Sequence, residues 1–449
     1  MIAAIDDISA GADLVADICI VGGGAAGITA ALTLANRNLH VLVLESGGLR
    51  SDHVSQSLCV GEVVNPALHT KPEKYRRREL GGSTSIWGGR CMPLDRVDFA
   101  ARPWLGPLSS WPIPYETLLP YWRRAHRWAE LGAFDYVAAT AVPGGMRPMF
   151  DGVTASAIST DRIERFSRPT NFGAVYRKRL ARSQRVRVLL HATCTEIVLT
   201  TGAASVSHLA VATRSGRHFR ARARGYVLAT GGLEVPRLLM TSRSVVPLGI
   251  GNAHGLVGRT YMCHLAGTSG TLRLANGHCA WHGYDRTVDG VYCRRRMSVQ
   301  PWAQKAWQIG NVIARLHHTS IANPGHGSGA LSAIYLAQWL LPAEYRTRLA
   351  HRSGALTLWP HIRNVATDPV ATAGFAIHCL RHRMMAARKY PSITVVPRYG
   401  DFTLDIHAEQ LPNLESRVTL GRGTDFLVCS KCVSTGVIVR RISALSASR

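Results

Sequence analysis

The sequence predicts an α/β fold in which a nucleotide-binding domain of Rossmann type is interleaved with a second domain that carries its own sheet. Three observations predict it. A short apolar run, Asp17-Ile18-Cys19-Ile20-Val21, leads into Gly22-Gly23-Gly24-Ala25-Ala26-Gly27, which fits G-x-G-x-x-G. Ile28 to Ala35 is small and apolar enough for a buried helix, and Val41-Leu42-Val43-Leu44 is a second buried strand ending at Glu45. Far downstream, Tyr226-Val227-Leu228 ends in another glycine turn, Ala229-Thr230-Gly231-Gly232, followed by a helix from Glu234 to Met240. A lone glycine fingerprint is weak, but here strand, loop, helix, strand and acid stand in the register the motif requires.

Each part of the first unit has a task at a dinucleotide. Gly22 permits the tight turn, Gly24 lets the backbone approach a pyrophosphate, and Gly27 lets the helix pack close to the sheet. Ala25 and Ala26 open a helix whose N-terminus favours phosphate charge, and Glu45 can accept hydrogen bonds from a ribose hydroxyl. Leu49 to Lys74 reads as a surface loop. Glu79 to Arg90 contains a second glycine-rich element. Tyr115 to Leu131 reads as a helix, with Pro114 suited to its first turn. Val186 to Leu189 and Thr193 to Leu199 read as short strands, as do Thr268 to Leu274, Gly290 to Cys293, Ile393 to Val396, Phe402 to His407 and Ser416 to Leu420. Ala303 to Leu316 and Leu331 to Leu341 read as helices. Strands and helices alternate up to Gly258 and mix more loosely after it, which is why a second domain is expected.

The chain has 449 residues, enough for two or three domains, and its 46% hydrophobic content is ordinary for a globular protein. No apolar run is long enough and free enough of glycine and charge to span a bilayer; Gly329 to Leu341 is the nearest and too short. Asp6 and Asp7 precede the first strand without a basic residue, opposite to a secretory signal, so a cytosolic protein is expected. The formal charge of +25, from 53 basic and 28 acidic residues, invites a nucleic-acid reading, with Arg76-Arg77-Arg78, Arg294-Arg295-Arg296 and Arg381-His382-Arg383 as phosphate contacts. These clusters lie in unrelated segments without a recognition helix or RNP-type motif, and Arg outnumbers Lys as in GC-rich genes. No nucleic-acid partner is expected. The ten cysteines form no disulfide framework; most read as small core residues.

Three segments together resemble the glucose-methanol-choline (GMC) family of FAD-dependent oxidoreductases, especially its bacterial sugar- and alcohol-dehydrogenase branches. They are the Gly22-to-Gly27 loop with Glu45, Gly81-Gly82-Ser83-Thr84-Ser85-Ile86-Trp87-Gly88-Gly89-Arg90, and Leu228-Ala229-Thr230-Gly231-Gly232 with Glu234 and Arg237. Trp111-Pro112-Ile113-Pro114-Tyr115-Glu116 and Gly258-Arg259-Thr260-Tyr261-Met262-Cys263-His264 add to the resemblance. It runs from about Ala16 to about Phe426, with a divergent middle. It implies a Rossmann-like FAD-binding domain over residues 1–265, with insertions around 96–190 partly in the substrate or cap region. It further implies an α+β substrate domain with an antiparallel sheet over 266–410 and a return to the FAD domain over 411–427. Gly81, Gly82, Ser83, Thr84, Gly88 and Gly89 would run under the isoalloxazine, where close backbone approach needs glycine. Trp87 would shield one flavin face. Ile86 stands where covalent relatives carry a histidine, which implies FAD held without a covalent bond. Cys194 stands where the family places a backbone contact to adenine; a plain core residue is the other reading. Ala229, Thr230 and Gly231 complete the expected cofactor set. The implied reaction takes a hydride from a CH–OH carbon of a sugar or other alcohol onto flavin N5, with an unknown electron acceptor.

The histidines divide. His317-His318 reads as structural. His378 and His382 have i, i+4 spacing, but the surroundings are arginine-rich, so no metal is expected. His407 and Glu409 alternate on one strand and should share a face, as a substrate contact or a solvated strand end. The family's late segment with its catalytic His and Asn is not found, so the catalytic pair is unassigned. Val428 to Ile438, read one base earlier, can encode Gly-Val-Gln-Gln-Val-Arg-Val-Asp-Trp-Arg-Tyr, which is similar to the family's continuation. Residues 428–449 are therefore expected to be an out-of-frame, poorly packed tail, contributing +4 of the +25, with Cys429-Ser430-Lys431-Cys432 an accident of frame. A divergent terminus is the alternative. On the out-of-frame reading activity would be crippled. A non-enzymatic FAD-binding remnant or pseudogene product is the alternative function, and a basic nucleic-acid-associated protein a remoter one.

Overall fold

The two apolar runs near the N-terminus become neighbouring parallel strands. The computed structural model describes residues 1–9, 11–151, 155–168, 170–274, 280–338, 358–392, 394–395, 400–425, 427 and 430–435. In it Asp13–Val21 pairs with Val41–Leu44, with Val21 opposite Leu44. All four positions of Val41–Leu44 are buried, as expected of a parallel strand covered on both faces. The chain divides into two units. The first comprises Met1–Trp87, Thr170–Met262 and Leu411–Arg449; the second comprises Gly88–Pro169 and Cys263–Gln410.

In the first unit a seven-stranded sheet runs in the order Ile2–Ala4, Val186–Leu190, Val41–Leu44, Asp13–Val21, His218–Leu228, Val206–Ala212, Thr193–Leu199. The first five strands are parallel and the last two pair antiparallel. Leu14, Cys19, Leu42, Leu189, Leu209 and Phe219 form its core. Leu42 is 2% exposed. Leu42→Ala is expected to cost about 2–5 kcal/mol, read by denaturant unfolding of the stripped protein. The helix Ala25–Ala35 buries Gly27, Ile28, Ala31 and Leu32.

In the second unit a five-stranded sheet runs in the order Leu265–Arg273, Asp401–Ala408, Val312–His317, Met297–Val299, Ile158–Ser159, and every pairing in it is antiparallel. A four-stranded sheet joins Asp285–Arg286, Tyr292–Arg295, Ile163–Phe166 and Arg90–Cys91. The molecule is thus an α/β fold, a Rossmann-like nucleotide domain interleaved in sequence with an α+β unit that carries an antiparallel sheet.

Three expectations are corrected. Ala303 to Leu316 is not one helix: Pro301–Trp307 is helical, Gln308 takes a left-handed conformation, and Val312–His317 is a strand. Pairing on both edges overrides the helical periodicity there. Glu409 lies just beyond the strand that holds His407. Its carboxylate accepts from both Arg102 terminal nitrogens and from Asn311 N, so it ties a loop down. The expected unpacked tail is also corrected in part: Ser430–Thr435 pairs antiparallel with Arg417–Thr424 and parallel with Glu62–Val63. Val433 and Thr435 are β-branched, and an open strand edge accepts such a run whatever its origin. Cys429, residues 436–449, and Ile393 and Val396 of an expected strand lie outside the described residues.

Candidate functional site

The first glycine loop is shaped by three different constraints. Gly22 has φ +102°, and a Cβ there would lie 2.6 Å from Ala229 O. A Cβ on Gly27 would lie 1.9 Å from Gly22 O, so the helix packs directly on the loop. Gly24 differs: its φ is −75°, and a Cβ would meet nothing within 4 Å. Gly24 is glycine at a point where the protein itself leaves open space beside a helix N-terminus.

The second glycine segment packs on the first. Gly81 N donates to Gly23 O (2.8 Å), and Gly24 and Gly81 form a parallel bridge. Gly81 has φ +100°, and a Cβ there would lie 2.4 Å from Gly173 N. Gly82 lies close enough to Gly24 that a Cβ would stand 3.2 Å from its Cα. Thr84 Oγ1 donates to Gly81 O and accepts from Phe172 N, holding the turn. Trp87 Nε1 donates to Thr170 O (3.1 Å), which fixes the indole. The third segment joins them where Ala229 N donates to Val21 O (2.8 Å).

These segments line one half-open cavity of about 1060 Å³, slightly above the usual range for cofactor sites. Gly22, Gly24, Ala25, Ala26, Glu45, Gly81, Gly82, Ser83, Thr84, Trp87, Cys194, Ala229, Thr230 and Gly231 line it. Gly27 does not line it and serves helix packing. Gly88 and Gly89 are also absent from the lining; they fall after Trp87, in the second unit.

Glu45 is buried, with Oε2 accepting from Gly23 N (2.7 Å) and Oε1 from Gly47 N (2.8 Å). Each oxygen keeps a lone pair for a ligand hydroxyl. Burial pushes the Glu45 carboxyl above its ordinary value, against the two backbone bonds and the Arg78 charge.

Sequence reasoning set aside one feature that the structure brings to the cavity wall. Arg76, Arg77, Arg78 and Arg237 all line it. Glu234, the first residue of the helix Glu234–Thr241, takes Arg76 Nη1 at 2.7 Å, Arg78 Nη2 at 2.9 Å and Arg237 Nε at 2.8 Å. Burial alone would raise the Glu234 carboxyl, but the charges of Arg78, Arg237 and Arg76 hold it far below its ordinary value. Four guanidiniums face two carboxylates on this wall, and the Nε atoms of Arg76 and Arg78 are buried without hydrogen-bond partners. The Thr230 hydroxyl is likewise buried and unpartnered. An anion beside Gly24 would satisfy this surplus. Tyr261 also lines the cavity, and its hydroxyl lies 2.6 Å from His69 Nε2. The residues present fit FAD: an open glycine beside a helix N-terminus, orphaned donors, and a cationic wall.

In the second unit His407 stands on Asp401–Ala408. Its Nδ1 faces the Arg90 guanidinium (3.5 Å), which can only donate, and its Nε2 lies 3.6 Å from Asp405 Oδ2. Arg315 also pairs with Asp405 (2.6 Å). Burial would raise the Asp405 carboxyl, but the His407 hydrogen bond and neighbouring positive charges hold it below its ordinary value. His264 lies 6.0 Å from His407, ring to ring. Its pKa is lowered by burial and then by the charges of His407 and Arg90. Among the described residues no His/Cys/Asp/Glu cluster suited to a metal is present.

Residues 17–298 match the family model described as FAD dependent oxidoreductase. No curated protein is similar enough to match. Among solved structures, pyridoxine 4-oxidase from Mesorbium loti is similar at 17% identity and a TM-score of 0.41, the match covering 67% of this chain and 66% of that one. Formate oxidase is similar at 16% identity and a TM-score of 0.43, covering 95% and 78%. A fungal aryl-alcohol oxidase is similar at 14% identity and a TM-score of 0.42, covering 94% and 78%. Likenesses of that strength carry no argument, but the family match spans more than half of the chain and falls on the residues that build the cavity. The protein belongs to the FAD dependent oxidoreductase family, and FAD is its cofactor.

Proposed function

We propose that the protein oxidises the CH–OH group of a sugar or other alcohol and is a GMC-type flavoprotein that holds FAD without a covalent bond. The observation that carries this reading is the convergence of its three motif segments, far apart in sequence, on one cavity. Gly22, Gly24, Ala25 and Ala26 hold the pyrophosphate, Arg76, Arg78 and Arg237 balance its charge, and Glu45 takes a ribose hydroxyl. Cys194 lies at the adenine, Ala229 to Gly231 close the wall, and Gly81 to Thr84 with Trp87 contact the flavin ring. Ile86, a hydrocarbon side chain, offers no atom for a covalent flavin bond. On this reading the first unit is the FAD domain and the second the substrate domain.

When bound, FAD supplies the hydride acceptor. The chain's own task is then the hydroxyl proton, and His407 is the group equipped for it. Arg90 donates toward Nδ1, which leaves Nε2–H toward Asp405 in the neutral ring. On this proposal the imidazole would take the substrate proton, and Asp405, 3.6 Å from Nε2, would stabilise the imidazolium. A cytoplasmic site of action is supported by Cys19, Cys59, Cys91, Cys194, Cys263, Cys293 and Cys379, all free thiols. Among the described residues no helix is long and apolar enough to cross a membrane.

Anaerobic addition of sugars and alcohols to the purified protein tests the proposal. At least one is expected to bleach the flavin absorbance, and acid is expected to release all flavin from the polypeptide. A flavin that no alcohol or sugar reduces would contradict the proposed reaction. His407→Asn is expected to slow bleaching by about 10²- to 10⁴-fold while flavin content stays unchanged. An unchanged rate would remove His407 from the mechanism.

A further inference from the structure

We propose that the helical hairpin Leu358–Met385 is a docking surface for an anionic lipid bilayer. Its two helices, Leu358–Thr367 and Pro369–Cys379, are followed by one π-helical turn, Leu380–Met384.

The first helix is built inside out. Its inward face carries His361 and Asn364, 0% and 7% exposed. His361 Nδ1 lies 3.0 Å from Ser332 Oγ on the helix Gly329–Leu336, and Asn364 Nδ2 donates to Ser332 Oγ and Pro324 O. Its outward face carries Trp359 at 74% exposure and Ile362 at 44%. With His361 Nδ1 and Asn364 Nδ2 bonded inward, the helix keeps Trp359 and Ile362 on its outward side. The second helix, Pro-Val-Ala-Thr-Ala-Gly-Phe-Ala-Ile-His-Cys, has no charged residue and no fully buried one. Val370, Met384 and Met385 are 83%, 74% and 75% exposed. Five large apolar side chains this exposed within one hairpin, Trp359, Ile362, Val370, Met384 and Met385, point to a contact site.

The charge around it selects the occupant. Residues Leu358 to Ser392 hold Arg363, Arg381, Arg383, Arg388 and Lys389 against Asp368 alone. Asp368 is turned to Gly329 N, and among the described residues Arg363, Arg381, Arg383 and Lys389 have no ion-pair partner. A second copy of the chain would set this basic rim against itself, which is repulsive in a two-fold interface. An anionic leaflet meets both needs: the apolar side chains enter the acyl boundary while the arginines pair with headgroups. The hairpin would lie on the bilayer and need not cross it.

The test is sedimentation of the flavin-loaded, full-length protein with vesicles of phosphatidylcholine alone and of phosphatidylcholine mixed with phosphatidylglycerol. Binding is expected to the mixed vesicles only, weakening as salt is raised. Trp359→Ser and Met385→Ser are expected to lower it, and Arg381→Gln to lower it about fivefold, all with unchanged flavin content. No binding to mixed vesicles, or equal binding to neutral ones, would overturn the proposal. A dimer that Trp359→Ser dissociates, in protein that ignores vesicles, would assign the face to a second copy instead.

Discussion

Gly24→Leu is expected to abolish flavin retention while leaving the fold intact. The backbone at Gly24, φ −75°, suits any L-residue, and a Cβ there meets no protein atom within 4 Å. The leucine side chain therefore enters the space where the pyrophosphate is proposed to lie. The stripped variant should lose only about 1 kcal/mol relative to the stripped wild type, from leucine at the helix N-cap, while the loaded proteins differ by the lost ligand as well. Gly27→Ala gives the contrast. Its Cβ would stand 1.9 Å from Gly22 O, so helix and loop must part, and the stripped protein should lose about 1–3 kcal/mol. Undiminished flavin in the Gly24→Leu protein would refute the placement of the pyrophosphate.

Glu234→Gln is expected to destabilise the protein by about 3–5 kcal/mol, because it leaves one buried and two largely buried guanidiniums around an uncharged amide. The pH dependence follows from the sign of the shift. The folded-state carboxyl lies far below its ordinary value of 4.5. Its stabilising contribution is thus complete above that value and is lost as pH falls below it. Acid unfolding of the wild type should be steeper below pH 4.5 than that of Glu234→Gln, and the two stability curves should converge at low pH. Parallel curves over that range would mean that Glu234 is not the carboxylate holding the arginines.

The nucleotide half of the fold was legible because its signals are local. Gly22 to Gly27, the flanking apolar runs and Glu45 fall within thirty residues, and each glycine's role depends on its immediate neighbours. What failed depends on contacts distant in sequence. Arg76 to Arg78 suggest from sequence only a nucleic-acid contact, which their setting argues against, since nothing nearby in the chain says that Glu234, some 158 residues on, will receive Arg76. The carboxylate and Arg237 were noticed only as parts of a motif. Ala303 to Leu316 has helical periodicity, but Val312–His317 finds strand partners on both sides. Glu409 was expected to share a face with His407; the strand ends at Ala408, and Asp405, two residues before His407, takes that place. Gly88 and Gly89 continue the glycine run in sequence but are absent from the cavity lining, which ends at Trp87 in this segment.

The structure of the protein crystallised with FAD tests the central claim most directly. The account predicts the pyrophosphate against Gly24 and the N-terminus of Ala25–Ala35, a ribose hydroxyl on Glu45, adenine beside Cys194, and the flavin ring over Gly81 to Ser83 next to Trp87, with no covalent bond. FAD lying outside this cavity, or within it with its pyrophosphate away from Gly24, would contradict the account.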